Sequence, residues 1–198
     1  MGARKPRILW CGEASFLHTG YSVYAKEVLT RLYETNKYEI AELACYASRN
    51  SPESNGTPWT VYHNMPDNTE EQSQYASSSK NQFGEWRFND VCLDFKPDIV
   101  IDIRDWWMIE YQERSPFRPF YQWAIMPTID SSPQQEQYLY TYKNADAVFT
   151  YSEFGKSVVE SQTHGNIKVR NIAPPAADYK SLKPARNKEE HRQSFGFM

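Results

Sequence analysis

Short apolar runs recur along the chain, and turn-forming residues follow most of them. They predict β-strands at residues 8–11, 40–46, 99–103, 121–126, 147–151 and 167–169. Segments with helical periodicity lie between several of these runs. Alternating strands and helices are typical of a mostly parallel sheet covered by helices on both faces. The pattern therefore predicts an α/β fold.

Three helix starts are visible from capping residues and periodicity. Thr19 or Ser22 can cap a first helix, whose inner face would carry Tyr21, Ala25, Val28, Leu29 and Leu32. A second helix is predicted to begin at Ser132, with Pro133 in its first position and a glutamine completing a capping box. The hydroxyl of Ser152 suits the cap of a third helix.

Two segments break this alternation. Residues 47–82 are rich in Ser, Asn, Pro, Gln and Glu, with a brief strand at 59–62, and are expected to form mobile surface, either a functional loop or a weakly ordered insertion. Residues 173–198 contain three prolines and a short charged stretch at 187–194 that could be helical. We therefore expect a domain at 1–172, followed by a linker and the truncated start of a second domain.

Chain length, net charge and cysteine spacing limit which partners and which cellular location are expected. A chain of 198 residues suits one large α/β domain, and its formal net charge of -3 does not favour nucleic acid as a partner. Cys11, Cys45 and Cys92 are far apart and lack CxxC spacing, so neither a disulfide framework nor a metal site is expected. The apolar runs are too short for a transmembrane segment. A cytoplasmic location is the expectation.

The turn at residues 12–20 joins the first strand to the first helix. Ligands of parallel sheets bind beyond the carboxyl ends of the strands, and a helix amino terminus favours phosphate. Gly20 would let the backbone approach such an anion, or it simply permits a tight turn. His18 is either a catalytic group or a surface residue. Neither GxGxxG nor GxxxxGK[ST] is present, which disfavours an NAD-dependent enzyme.

Acidic residues follow two later strands. Asp105 and Trp106 offer a carboxylate beside an aromatic ring, a combination that suits sugars, although Trp106 could instead pack in the core. Asp130 could take the proton of an acceptor hydroxyl or could cap a turn. Asp102 occupies the position of a receiver-domain phosphoacceptor. The first turn offers only Glu13 for the accompanying metal, so that signalling function is less favoured.

Several short motifs follow one another over nearly the whole chain. They are Ile8-Leu9-Trp10; Gly20-Tyr21-Ser22-Val23-Tyr24; Pro97-Asp98-Ile99-Val100 with Asp105-Trp106; Pro127-Thr128-Ile129-Asp130; Ala145-Asp146 with Ser152-Glu153-Phe154-Gly155; and Ile172-Ala173-Pro174-Pro175 with Asp178. Taken in this order, they resemble the motifs of the GT-B glycosyltransferases, and most closely those of the large retaining family 4 that uses nucleotide-sugar donors.

The resemblance implies a Rossmann-like amino-terminal half of a GT-B fold. In that family the first loop approaches the donor phosphates, and the amino-terminal domain shapes the acceptor site. No cofactor or metal is implied beyond the nucleotide-sugar donor and a sugar or other hydroxyl acceptor. The residues implied are Thr19, Gly20 and Tyr21 for donor phosphate, Asp105, Trp106, Ser152 and Glu153 for the acceptor, and Asp130 and His18 for catalysis.

The resemblance also implies that the donor-binding carboxy-terminal domain is missing, so this chain alone is expected to be inactive as a transferase. Two departures from the family concern loop geometry: one glycine at Gly20 where relatives often have two, and Pro175-Ala176-Ala177-Asp178 in place of Pro-Gly-Val-Asp. The alternatives are a self-contained sugar- or nucleotide-binding module, or one subunit of a split transferase. Self-association is also expected, because an isolated half would expose its partner-facing surface.

Overall fold

A computed structural model describes residues 4–176 and 186–196 of this chain. Its described residues form a seven-stranded parallel sheet in the order β3-β2-β1-β4-β5-β6-β7. The strands are β1 (Arg7–Glu13), β2 (Glu39–Cys45), β3 (Thr60–His63), β4 (Ile99–Asp102), β5 (Gln122–Ile125), β6 (Ala147–Thr150) and β7 (Val169–Ile172). The predicted α/β, Rossmann-like parallel sheet is confirmed.

Helices connect most of the strands. They are α1 (Gly20–Glu34), α2 (Thr69–Ala76), α3 (Glu85–Phe95), α4 (Trp106–Glu113), α5 (Glu136–Asn144), α6 (Glu153–Gln162) and α7 (Lys188–Ser194). Two of the predicted caps are confirmed: the side chain of Thr19 accepts a hydrogen bond from the backbone N–H of Ser22, and Ser152 accepts one from that of Gly155. These caps satisfy backbone groups that a helix start leaves free.

Successive residues of the central strand point to opposite faces of the sheet and enter different cores. Leu9 joins the larger cluster, which receives side chains from α3, α4, α5 and α6. Trp10 joins the smaller cluster, in which α1 contributes Ala25 and Leu29. The predicted covering of both faces is confirmed, and among the described residues the coverage is uneven, with four helices contributing to one cluster and α1 to the other.

The chain leaves β1 toward β2 on one side and later returns to pair β4 on the other. In register, Cys11 of β1 lies between Leu43 of β2 and Asp102 of β4. This reversal of strand order opens a crevice at the carboxyl ends of the strands, which is where open α/β sheets bind ligands. The segments after β1, β4, β5 and β6 approach this crevice.

One prediction of local structure is wrong, and one of two alternatives is excluded. The helix expected from Ser132 begins at Glu136 instead, because the preceding residues are held by a distant helix: Gln134 N donates to Gln162 Oε1 at 2.8 Å, and Gln162 Nε2 donates to Gln134 O at 2.6 Å. For residues 47–82 the brief strand expected at 59–62 is confirmed as β3, whereas a weakly ordered insertion is contradicted, since the segment also contains α2 and buries Asn64 completely. That the segment is a functional loop stays a prediction.

The proposed linker lies partly outside the described residues, as does Asp178. The short charged helix expected at 187–194 is confirmed as α7, with Asn187 accepting hydrogen bonds from the N–H groups of Glu189 and Glu190. β7 ends at Ile172. The domain boundary at 172 stays a prediction.

Candidate functional site

A cleft of about 510 Å³ opens at the carboxyl ends of the strands, beside the start of α1. Its lining comes from the carboxyl end of β1, from the start of α1 and from the segments that follow β5, β6 and β7. The lining residues are Glu13, Thr19, Gly20, Tyr21, Tyr24, Thr128, Tyr151 and Pro175. A larger hollow of about 700 Å³ lies at the opposite ends of β2 and β3, away from the crevice formed by the reversal of strand order.

The β1–α1 loop, residues 14–19, leads from β1 into this cleft. Thr19 Oγ1 accepts from Ser22 N at 3.2 Å and donates to the carboxylate of Glu13 at the end of β1. A side-chain carbon placed on Gly20 would meet no atom within 4 Å, so the glycine is not needed for packing and faces open space. The described lining contains no Lys, Arg or His, so backbone N–H groups and hydroxyls are the donors that it offers a ligand.

A pair of hydroxyls bridges α1 and the segment after β5. Tyr21 Oη and Thr128 Oγ1 share a hydrogen bond of 2.8 Å that either oxygen can donate. Asp105, at the start of α4, lies beside this pair, and burial raises the pKa of its carboxyl; the hydroxyl of Thr128 opposes that shift, and the charge of Asp130 adds to it. Three of the predicted site residues, Tyr21, Asp105 and Asp130, are therefore brought together around Thr128.

Two tyrosines that sequence reasoning missed form the wall of the cleft. The rings of Tyr24 and Tyr151 meet edge to face, with centroids 5.9 Å apart. Tyr151 Oη donates to Ile103 O at 2.7 Å, and Tyr24 Oη donates to Ala173 O at 3.1 Å. Tyr151 directly follows the last residue of β6, and this position after a strand end is the signal that could have identified it.

Of the predicted site residues, only Thr19, Gly20 and Tyr21 line the cleft. Trp106 stacks on Tyr138 at 4.4 Å between centroids and packs against the larger core, so its core role is the one that the structure displays. His18 is exposed on the β1–α1 loop. Ser152 caps α6 and Glu153 begins that helix, both exposed. Their roles in binding and catalysis stay predictions.

A buried polar network lies at the end of β4. Arg104 Nε donates to Asp102 Oδ1 at 2.9 Å and Arg104 Nη2 donates to Oδ2 at 2.6 Å, while both side chains are at most 1% exposed. Gln112 Nε2 donates to the same carboxylate at 2.8 Å, and its Oε1 accepts from Trp123 Nε1 at 2.6 Å. Asp102 is thus enclosed and charge-paired, which contradicts a role as an exposed phosphoacceptor.

Other kinds of site find little support in the part of the chain that the structure describes. Residues 4–176 and 186–196 contain no group of His, Cys, Asp and Glu side chains arranged to hold a metal ion. Within the same ranges, no helix has both the length and the apolar character that crossing a bilayer requires. Cys11, Cys45 and Cys92 are buried free thiols.

No protein-family model and no curated protein sequence matches this chain. Solved structures do share its fold. Sucrose-phosphate synthase from Thermosynechococcus elongatus aligns with a TM-score of 0.58 and 15% identity, over 98% of this chain and 53% of that protein. UDP-GlcNAc 2-epimerase from Neisseria meningitidis, bound to UDP-GlcNAc, aligns with a TM-score of 0.56 and 15% identity, over 98% of this chain and 55% of that one.

A third similar structure is UDP-GlcNAc 2-epimerase from Methanocaldococcus jannaschii, with a TM-score of 0.53 and 15% identity over 86% of this chain and 46% of that one. The chain spans about half the length of each of these three structures. At such identities the likeness concerns the fold alone: the chain has the Rossmann-like fold of one half of a GT-B protein.

Proposed function

We propose that this chain forms the amino-terminal, acceptor-side half of a retaining glycosyltransferase that takes a nucleotide sugar as donor. The observation that carries the proposal is the hydrogen-bonded pair of Tyr21 and Thr128 in the lining of the cleft, with the carboxyl of Asp105 beside it. The ordered motifs that resemble family 4 and the fold shared with enzymes of sugars and nucleotide sugars support it.

The chemistry of the cleft suits a hydroxyl-rich ligand. The carboxylate of Glu13 in the lining, and that of Asp105 beside Thr128, can accept hydrogen bonds from sugar hydroxyls. The tyrosine rings offer apolar surface to the C–H faces of a sugar ring. Asp130 is exposed at the same edge and is the group proposed to take the proton of the acceptor hydroxyl. The raised pKa of Asp105 keeps its carboxyl protonated to a higher pH than that of an ordinary aspartate.

Donor phosphate is proposed to meet the backbone N–H groups at the start of α1, near Thr19 and Gly20. These groups are the positive end of the helix and can hold an anion without a cationic side chain. The carboxylate of Glu13 opposes an anion at this point, and its hydrogen bond from Thr19 partly offsets that charge. The basic groups that hold the rest of the donor are proposed to come from a carboxy-terminal domain.

The test is Gly20→Val, because the added side chain would enter the cleft without meeting any protein atom. Gly56→Val is the matched control, since a side chain there also meets nothing within 4 Å and the position does not line the cleft. Binding of UDP-N-acetylglucosamine and of a methyl glycoside would be followed by saturation-transfer NMR. We expect Gly20→Val to weaken binding by at least about tenfold and Gly56→Val to leave it unchanged.

The proposal fails if neither probe binds the unmodified chain, or if both glycine variants bind as it does. Epimerisation of a nucleotide sugar is the second candidate, because two of the similar structures are UDP-GlcNAc 2-epimerases. A bound methyl glycoside that the nucleotide sugar does not displace favours transfer, which needs an acceptor. Binding of the nucleotide sugar alone favours epimerisation.

A further inference from the structure

The first residues of the β1–α1 loop pack against small side chains in and after β2, and only the later residues of the loop reach the cleft. Ala14 packs with Ala44 and Ala47 in a cluster of fully buried alanines, and Ala14 N donates to Cys45 O at 3.1 Å. The next residue, Ser15, is 1% exposed. The loop that ends at Thr19 is therefore anchored at its beginning by contacts with β2, and its end is a helix cap.

Glu42, in the middle of β2, holds this buried end of the loop. Ser15 Oγ donates to Glu42 Oε1 at 3.1 Å, and Ser15 N approaches Oε2 at 3.4 Å, so one loop residue engages both carboxyl oxygens. Glu42 is 1% exposed and is not ion-paired within the described residues. A buried carboxyl without a cation is rare, because burial strongly disfavours its charged form.

The residues that pair with Glu42 in register are uncharged, and the titratable His63 lies two residues further along β3, in register with Ala44. These register partners of Glu42 are Trp10 on β1 and Val61 on β3, and the loop contributes Ser15. Burial raises the pKa of Glu42 to about 7, while the hydrogen bonds from Ser15 favour the charged form. The indole N–H groups of Trp10 and Trp59 are buried without a hydrogen-bond partner among the described residues. With a pKa near 7 and hydrogen bonds from Ser15 alone among the described residues, the carboxyl can gain or lose a proton near neutral pH.

We propose that Glu42 is a positioning residue for the β1–α1 loop, and that gain or loss of a proton at this carboxyl changes how firmly Ser15 is held. The charged carboxylate accepts from both the hydroxyl and the N–H of Ser15, and such charge-assisted bonds are stronger than neutral ones. The protonated carboxyl must direct its own proton to an acceptor, which weakens this pair of contacts. The loop is held more firmly when Glu42 is charged. The consequence for ligands rests on the proposed function of the cleft, whereas the loop contacts do not.

Ligand-free NMR tests the loop directly. The ¹⁵N-labelled chain would be titrated between about pH 5.5 and 8.5, and the amide signals of residues 14–19 followed. We expect a transition with its midpoint near 7, the pKa of the buried carboxyl, and its loss in Glu42→Gln. Glu39→Gln is the matched control, because Glu39 lies on the same strand but is exposed and pairs with Arg7. His18 lies in the same loop, so the titration would be repeated in His18→Gln.

Ser15→Ala provides the reciprocal measurement. Because Ser15 stabilises the charged carboxylate, removing its hydroxyl should move the midpoint at Ala14 and Leu17 upward by about one pH unit. The proposal is overturned if the transition survives in Glu42→Gln, disappears in His18→Gln, or keeps its midpoint in Ser15→Ala. No ligand enters these measurements, so failure of the proposed function, seen as loss of probe binding, is distinguishable from failure of this proposal.

Discussion

Two carboxyl groups are buried on the strands that flank β1, and the chain accommodates them by different means. Asp102 on β4 is 0% exposed and receives a two-point ion pair from Arg104. Glu42 on β2 is 1% exposed and receives hydrogen bonds from Ser15 alone, with no cation among the described residues. The same burial is thus accompanied by an ion pair at one strand end and by a titrating group beneath the loop. Partner chemistry, not depth, makes the difference.

The largest effect on stability is expected when the cation that pairs with Asp102 is removed. Arg104→Met would leave Asp102 as an uncompensated buried charge and would also remove the bonds from Arg104 to Cys45 Sγ and Phe83 O. We expect the free energy of unfolding to fall by about 3–5 kcal/mol. Urea denaturation measures this. Arg49→Met is the control, because Arg49 makes an exposed ion pair with Asp67 worth about 1 kcal/mol or less.

A double variant separates the buried charge from general loss of packing. The double variant Asp102→Asn with Arg104→Met leaves no buried charge at the end of β4, so the loss should be smaller than in Arg104→Met alone. An equal or greater loss in the double variant would mean that packing, and not the unpaired carboxylate, sets the effect.

The unpaired side of the comparison predicts a pH dependence of stability. The pKa of Glu42 is about 7 in the folded chain and near 4.5 when unperturbed, so between these values the folded form holds a proton that the unfolded form has released. Stability from this group is therefore fully present below about pH 4.5 and is lost as pH rises through 7. The loss amounts to about 3 kcal/mol. Glu42→Gln should remove this slope.

Urea denaturation from pH 5 to 8 checks the slope, with Glu39→Gln as control. Burial lowers the pKa of His63, which gives a slope of the opposite sign in a nearby pH range. The informative quantity is therefore the difference in stability between the unmodified chain and Glu42→Gln at each pH. A difference that stays constant across this range would contradict the assignment of a raised pKa to Glu42.

The sequence predicts the strands and helix caps more completely than it predicts the burial and partners of Glu42 and Asp102. Strands and caps depend on neighbours within a few residues: Thr19 reaches Ser22, and Ser152 reaches Gly155. Glu42 lies within an apolar run, and its burial cannot be predicted from that run, because its hydrogen-bonding partner Ser15 lies 27 positions away. A pattern of hydrophobic positions carries no information about such a pairing.

The sequence predicts which residues lie near the candidate site when strand topology alone determines their position. Residues after parallel strands meet at one edge, which brings Asp105 and Asp130 toward the start of α1. The bond from Tyr21 to Thr128 joins residues 107 positions apart, and its geometry depends on helix placement. The late start of α5 has a similar cause, since Gln162 binds the residue that local capping rules had assigned to the first turn of that helix.

A third carboxylate, Asp98, has a cationic partner but is partly exposed, so it can be compared with both buried carboxyl groups. Asp98 accepts from both terminal nitrogens of Arg4 at 2.6 Å and from Arg7 N at 2.8 Å, but its side chain is 35% exposed. Its hydrogen bonds with Arg4 lower its pKa, so its stabilising contribution is present above about pH 4 and is lost as pH falls through the folded value. This sign is opposite to that of Glu42.

Asp98→Asn should reduce the free energy of unfolding at pH 7 by about 1 kcal/mol or less, because solvent screens an ion pair at this depth. Added salt should shrink the difference further, whereas the slope from buried Glu42 should persist, since screening acts on exposed charges. Asp90→Asn is the control, because Asp90 is exposed and has no ion pair among the described residues. If salt removed the Glu42 slope as readily as the Asp98 difference, solvent would reach both carboxyls and the contrast between buried and exposed groups would disappear.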